Sequence, residues 1–183
     1  MILYIHGFAS SANSKKVTIL KKKFDDVIAF NLSPEPKIAI EQLETFIKKH
    51  QNQTQITLIG SSLGGFYAMY LSKKYNLKTI LVNPAIKPWD TLLQYENNEV
   101  KNYSTNEVFN FKAEFLEQLH LYKINNLDRT NILLLLQTGD ITLNYKDALK
   151  FLPNVRSIIE TGGSHQFEKF NNYLDIINDH IKT

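Results

Sequence analysis

The chain has 183 residues, of which 43% are hydrophobic and 21% charged, as expected for one globular domain with a sizeable core. The formal net charge is only +3 and the basic residues form no stripe, so we expect no nucleic-acid binding. The lack of cysteine excludes disulfides and thiol chemistry, and the lack of a signal peptide or long apolar run predicts a cytoplasmic protein without stable membrane insertion.

Short apolar runs alternate along the chain with segments of helical periodicity. In the latter, apolar residues recur at helical spacing, as in Val17, Leu20 and Phe24. The alternation predicts an α/β fold of about six mostly parallel strands with helices on both faces, and functional residues beyond the carboxyl ends of the strands. The predicted strands are 2–5, 27–32, 56–60, 79–83, 131–138 and 155–160.

One connection, residues 86–128, is too long for a plain crossover between the fourth and fifth strands. Val108, Phe111 and Phe115 repeat in it at helical spacing. We therefore expect a helical, cap-like insertion within a single domain over 1–183; the alternative is an ordinary crossover with an extra surface helix. Trp89 and Phe111 are expected to line a pocket for an acyl chain.

The third strand runs into the glycine-rich segment GSSLGG, after which a helix is predicted. Gly60 and Gly64 frame Ser62 in the pattern G-x-S-x-G, which places a nucleophilic serine on a tight strand-to-helix turn. Ser61 lacks this glycine frame and is interpreted as a turn or packing residue. The glycine spacing fits neither a phosphate-binding loop nor a dinucleotide-binding fingerprint.

A serine nucleophile needs a base and an acid that orients the base. His165 follows the last strand in TGGSH, the position that brings an imidazole over the carboxyl ends of the strands, whereas His50, His120 and His180 are interpreted as surface residues. Asp140 directly follows the fifth strand and is the predicted acid. A role for Asp140 as a cap of the next helix remains the alternative. Three other aspartates are less suitable by position: Asp90, Asp128 and Asp147.

The oxyanion of an acyl-transfer reaction needs two hydrogen-bond donors. The backbone N–H of Leu63 is one candidate because it follows the nucleophile, and that of Phe8 is the other because it lies in the loop after the first strand. His6 is interpreted as a structural residue of that loop, with a catalytic role as the alternative.

These motifs together resemble the small bacterial YqiA-like esterases of the α/β-hydrolase superfamily. The matching segments, which occur in the same order and cover most of the chain, are LYIHGFASSANSKK, LIGSSLGGFYAMYLS, VNPAIKP, LLLQTGD and ETGGSHQF. The resemblance implies a trimmed α/β-hydrolase without cofactor or metal, with a Ser62–His165–Asp140 triad and oxyanion donors at Phe8 and Leu63.

The resemblance also implies esterase activity on acyl esters or thioesters, and we expect a serine esterase that hydrolyses small to medium acyl esters. One alternative is a hydrolase of acyl-CoA or other thioesters, and another is a non-catalytic binding module on the same fold. The sequence does not predict the oligomeric state or the physiological substrate.

Overall fold

The computed structural model describes all 183 residues and contains eight strands. In chain order they are β1 (Ile2–Ile5), β2 (Val27–Ile28), β3 (Thr57–Ser62), β4 (Lys78–Pro84), β5 (Asn98–Lys101), β6 (Val108–Phe111), β7 (Ile132–Gln137) and β8 (Arg156–Glu160). Six of them form one sheet in the order β2-β1-β3-β4-β7-β8, and every neighbouring pair in it is parallel. Strands β5 and β6 form a separate antiparallel pair.

Seven α-helices connect and cover these strands. They are α1 (Lys15–Lys21), α2 (Pro36–His50), α3 (Leu63–Tyr75), α4 (Pro88–Leu92), α5 (Ala113–His120), α6 (Tyr145–Phe151) and α7 (Leu174–Lys182). Helix α2 begins at Pro36, because proline has no N–H to lose at the first helical position. None of the helices combines the length and the apolar character needed to cross a bilayer.

Two hydrophobic cores lie on opposite faces of the sheet. The larger core includes side chains of α2, α3, α5 and α6, and the smaller one includes side chains of α1 and α7. Strands β3, β4 and β7 are buried over almost their whole length, since helices cover both faces. The α/β fold with six mostly parallel strands is thus confirmed.

Both edge strands differ from the central ones. Strand β2 has two residues instead of the predicted six, because beyond Ile28 the chain leaves the sheet and the Leu32 N–H donates to the side chain of His6. Strand β8 pairs only with β7, and its side chains are exposed or half-buried.

The segment over residues 86–128 contains α4, the β5–β6 hairpin and α5, so the helical periodicity at its centre is misleading. Val108–Phe111 is a strand rather than part of a helix: Phe109 and Phe111 turn inward while Val108 and Asn110 are exposed. This is the alternation of a strand, and the helical spacing of Val108, Phe111 and Phe115 is coincidental. The helix begins only at Ala113, one turn later than the periodicity suggests.

Candidate active site

Ser62 ends β3 and immediately precedes α3, on a turn with unusual backbone geometry. Its φ of 54° and ψ of −123° lie in a region that non-glycine residues rarely adopt. The neighbouring glycines make the turn possible. A Cβ at Gly60 would collide with the carbonyl of Gly64, and one at Gly64 would collide with the carbonyl of Ile5.

The structure brings Ser62, His165 and Asp140 together at the carboxyl ends of β3 and β7. The His165 Nε2 lies 3.0 Å from the Ser62 Oγ, and the His165 Nδ1 lies 2.7 Å from the Asp140 Oδ2. Because a carboxylate can only accept, Nδ1 carries the proton and Nε2 is free to accept the serine proton. The side chain of Asp140 is 1% exposed, and that of His165 is 23% exposed.

The second carboxylate oxygen of Asp140 is also fully engaged. Its Oδ1 accepts hydrogen bonds from the N–H groups of Thr142 and Leu143, each at 2.8 Å. Asp140 therefore both caps the turn that follows β7 and binds His165, so the two roles weighed from the sequence coexist in one side chain.

Two polar residues that the sequence analysis did not assign hold the loop that carries His165. The buried Gln137 accepts through Oε1 from the N–H groups of Ser164 (3.1 Å) and Glu168 (2.8 Å), and donates through Nε2 to the Glu168 carbonyl (2.9 Å). Asn83 donates to the carbonyls of Ser164 (3.0 Å) and His165 (3.3 Å). Gln137 closes the otherwise apolar β7, and Asn83 follows the apolar run of β4, so a polar residue after buried apolar ones is the signal that could have revealed them.

The loop after β1 lies directly against the nucleophile. A Cβ added at Gly7 would come within 3.1 Å of the Ser62 Cβ, so a side chain there would press against Ser62. The Phe8 N–H, next in the chain, donates to no protein acceptor. Leu63 is the first residue of α3, and the N–H groups of a first helical turn have no partner within the helix. Leu63 thus follows Ser62 directly in the chain, and Phe8, whose N–H is unpaired, follows the glycine that approaches Ser62.

His6 has a structural place in this loop. Its Nε2 accepts from the Leu32 N–H at 3.1 Å, so Nδ1 carries the proton and donates to the Gly7 carbonyl at 2.9 Å. Burial lowers the pKa of His6, which favours this neutral form. With both nitrogens occupied by the backbone, His6 cannot serve as the base for Ser62.

A cavity of about 580 Å³ opens above Ser62, His165 and Leu63. Its apolar lining comes from the loop after β1 and from the segment after β4, including Phe8, Leu92 and Tyr95. The buried Ser61 also lines it, beside the hydroxyl of Tyr4. Burial raises the pKa of Tyr4 to about 12, and hydrogen bonds with Ser14 and Ser61 offset part of this effect.

The two aromatic residues predicted to line the pocket lie elsewhere. Phe111 is buried under the ring of Phe8, with ring centroids 5.3 Å apart, and Trp89 stacks on His120 at 4.3 Å. Neither is among the residues around the cavity above Ser62. Their placement in that pocket is a wrong prediction, because aromatic content alone does not distinguish residues that pack an insertion onto the core from residues that face a ligand.

The remaining histidines do not approach the site. His50 packs on Phe46 and the exposed His120 on Trp89, but His180 is buried rather than on the surface as predicted. It lies on the same face of α7 as Ile177, three residues earlier, and its Nε2 bonds to the carbonyl of Asn131 at 3.2 Å. No cluster of three or more histidine or acidic side chains is arranged to hold a metal ion.

The parallel sheet, the strained serine turn and the histidine loop after the last strand define an α/β-hydrolase fold. Residues 1–182 match the protein family UPF0227, described as an uncharacterised protein family, and the chain belongs to that family.

Curated relatives agree with the family, and solved structures agree with the fold. A UPF0227 protein of Vibrio parahaemolyticus is 25% identical over 191 residues, covering 100% of both chains. Another from Shewanella woodyi is 33% identical over 99 residues, covering 51% of this chain and 55% of that protein. The fold is similar to that of the mouse alpha/beta hydrolase domain-containing protein 10, with a TM-score of 0.75, 15% identity, and coverage of 99% of this chain and 89% of that one. It is also similar to a monoacylglycerol lipase of Paleococcus ferrophilus, with a TM-score of 0.68, 14% identity, and coverage of 99% and 93%.

Proposed function

We propose that this protein is a serine esterase that hydrolyses small to medium acyl esters without a cofactor. The observation that carries the proposal is the continuous hydrogen-bonded series from Ser62 through His165 to Asp140. A binding protein would place no demand on all three residues in this order. The similarity in fold to a lipase agrees with ester hydrolysis but supports the fold alone.

The chemistry follows from the positions of these groups. The Ser62 Oγ attacks the ester carbonyl while its proton moves to the His165 Nε2, and the Asp140 carboxylate stabilises the imidazolium that forms. The oxyanion accepts hydrogen bonds from the N–H groups of Phe8 and Leu63. His165 then gives the proton to the departing alkoxide, leaving an acyl-enzyme. A water molecule, deprotonated by the same histidine, cleaves the acyl-enzyme and restores the Ser62 hydroxyl.

Covalent labelling with a fluorophosphonate tests the proposal, since this reagent reacts with activated serines. Wild-type protein should be labelled and should hydrolyse 4-nitrophenyl butyrate. The Ser62→Ala variant should lose labelling, and its kcat should fall about 10⁴- to 10⁶-fold. The matched control is Ser61→Ala, which removes the neighbouring hydroxyl and should keep labelling and most of the activity. Labelling that depends on Ser61, or no labelling of the wild type, would refute the proposal.

Asp140→Asn tests the role of the acid separately. The amide can donate to Nδ1, which favours the imidazole tautomer whose Nε2 carries the proton and cannot accept from Ser62. We expect kcat to fall about 10⁴-fold with an unchanged circular dichroism spectrum. A rate near that of the wild type would remove Asp140 from the mechanism.

Thioesters differ from oxygen esters only in the departing group, so the same residues could cleave acyl-CoA substrates. A comparison of kcat/KM for 4-nitrophenyl and CoA esters of the same acyl chain would decide the preference between them.

A further inference from the structure

The cavity above Ser62 is lined by cationic side chains without any acidic ones. Lys15 and Lys16 contribute to its lining, whereas no aspartate or glutamate does. Asp140, the nearest carboxylate in the site, does not line the cavity. One of its oxygens binds His165, and the other accepts from the N–H groups of Thr142 and Leu143. The lining thus offers positive charge with no internal partner.

Lys16 is the unusual member of this pair. The residue is 9% exposed, yet its ammonium forms neither an ion pair nor a hydrogen bond with any part of the chain. The nitrogen is not sealed from solvent, because the only fully buried side-chain nitrogen or oxygen without a partner is the hydroxyl of Tyr75. Burial lowers the pKa of Lys16 to about 8, and no neighbouring carboxylate offsets this effect.

The two sides of the cavity differ in composition. The segment around the start of α1 supplies only polar side chains, whereas the segment after β4 supplies most of the apolar ones together with Thr91 and Gln94. In the sheet, β1 and β4 lie on either side of β3, so the segments that follow them flank Ser62. The polar contributors are Ser10, Asn13, Ser14, Lys15 and Lys16, and the apolar ones include Ala85, Pro88, Leu92 and Tyr95.

We infer that the substrate of Ser62 carries an anionic group, a carboxylate or a phosphate, which binds the ammonium of Lys16 while the apolar part of the substrate lies against Leu92 and Tyr95. This inference rests on the proposed esterase function and adds to it the charge of the substrate. A partly buried ammonium without a protein partner binds an anion strongly, because little water competes for it. Lys16 is in this view a specificity-determining residue and takes no part in the proton transfers.

Matched ester pairs test the inference. Phenyl hexanoate and monophenyl adipate differ by a carboxylate on the acyl side. Phenyl acetate, 4-carboxyphenyl acetate and 4-(phosphonooxy)phenyl acetate differ by an anion on the leaving group. The kcat/KM of each ester is compared between the wild type and Lys16→Met, so that the intrinsic reactivity of each ester cancels. Lys22→Met is the control, because Lys22 is exposed on the same segment, has no ion-pair partner and lies outside the cavity.

We expect Lys16→Met to lower kcat/KM for an anionic ester about ten- to hundredfold more than for its neutral counterpart. Lys16→Arg should retain most of the preference, and Lys22→Met should change neither member of a pair. The ester pair whose kcat/KM ratio changes in Lys16→Met shows on which side of the ester the anion lies and whether it is a carboxylate or a phosphate. Equal losses on charged and neutral esters in every pair would overturn the inference.

A binding measurement separates this inference from the proposed function. The Ser62→Ala variant and the Ser62→Ala/Lys16→Met double variant are each titrated with monophenyl adipate and with 4-carboxyphenyl acetate. The Kd of at least one of these anionic esters should be about tenfold higher for the double variant. If the wild type hydrolyses neutral esters but neither kinetics nor binding depends on Lys16, only the inference fails. If no ester is hydrolysed, the proposed function fails, and the Kd values still decide the role of Lys16.

The melting temperature of Lys16→Met should equal or exceed that of the wild type, because the lost ammonium had no partner; a lower value would indicate a structural role and count against the inference.

Discussion

Gln137 holds the loop that carries His165, the proposed base, through backbone hydrogen bonds alone. Its buried amide makes three hydrogen bonds to the backbone of Ser164 and Glu168, the residues on either side of the His165 loop. A side chain at Gly163 would collide with this amide, so the loop closes tightly around it. The distance between His165 and Ser62 therefore depends on a residue that takes no part in the reaction.

We predict that Gln137→Met lowers kcat at least tenfold and changes KM much less, because misplacing a catalytic group by about 1 Å can cost on the order of a hundredfold in rate. The measurement is steady-state kinetics on a neutral ester together with thermal melting. Ser72→Ala is the matched control: it also removes a buried hydrogen bond, from Ser72 Oγ to the Leu77 carbonyl at 2.7 Å, but far from the site. Equal kcat values for the two variants would show that the loop does not rely on Gln137.

The β5–β6 hairpin is fastened to the loop that supplies the Phe8 N–H. At its tip the Tyr103 N–H donates to the Ala9 carbonyl at 2.8 Å, and the Asn102 amide donates to the Ser10 carbonyl at 2.9 Å. The ring of Phe8 packs against Tyr95 at 5.1 Å and against Phe111 at 5.3 Å. The insertion thus supports the loop from above while the sheet supports it from below.

This arrangement assigns different effects to two truncations within the insertion. Leu92→Ala should reduce the gain in kcat/KM from longer acyl chains, because Leu92 lines the cavity and each buried methylene contributes up to about 0.8 kcal/mol. Phe111→Ala should instead lower the free energy of unfolding by about 3–5 kcal/mol, because it leaves a void in the core. Rates over a series of acyl chain lengths, together with denaturant unfolding, distinguish the two. A change in chain-length preference from Phe111→Ala without loss of stability would contradict the assignment.

The sequence predicts elements best where a local pattern has a single physical cause. Ser62 could be found because only glycines fit around a strained turn, and the central strands because both their faces are buried. The hairpin could not be found, since the helical spacing of Val108, Phe111 and Phe115 conceals the alternation of Phe109 and Phe111. Gln137 and Asn83 were missed because their hydrogen bonds reach a loop distant in the chain, and no local pattern indicates such a partner. Lys16 was not singled out, because its burial depends on packing that no local pattern indicates.

At the scale of the whole molecule, two buried histidines couple stability to pH. Burial lowers the pKa of His6 and of His180 in the folded state. One lies in the loop beside Ser62 and the other on α7, against the opposite core. As neutral imidazoles both histidines form hydrogen bonds with the backbone, so their protonation disturbs the loop after β1 and the packing of α7.

The direction of the effect follows from proton linkage. Below the ordinary histidine pKa of about 6.5 the unfolded chain binds more protons than the folded one, so stability falls as the pH decreases. We predict that the free energy of unfolding, measured by denaturant titration, declines between pH 7 and pH 5 by up to about 1.4 kcal/mol per histidine and pH unit. His180→Met should make this decline less steep, and His120→Met, at an exposed position, should not. Parallel curves for all three proteins would contradict the prediction.

The open edge of the sheet at β8 has a consequence for association between molecules. Because β8 pairs only with β7, its outer row of backbone N–H and C=O groups can accept a strand from a second chain, and the exposed Ile159 adds apolar surface there. Such an addition would run along β8 as far as Glu160, five residues before His165. Self-association at this edge would therefore place a second molecule beside the loop that carries His165, the proposed base, and we expect specific activity to change at the concentration at which the protein begins to associate.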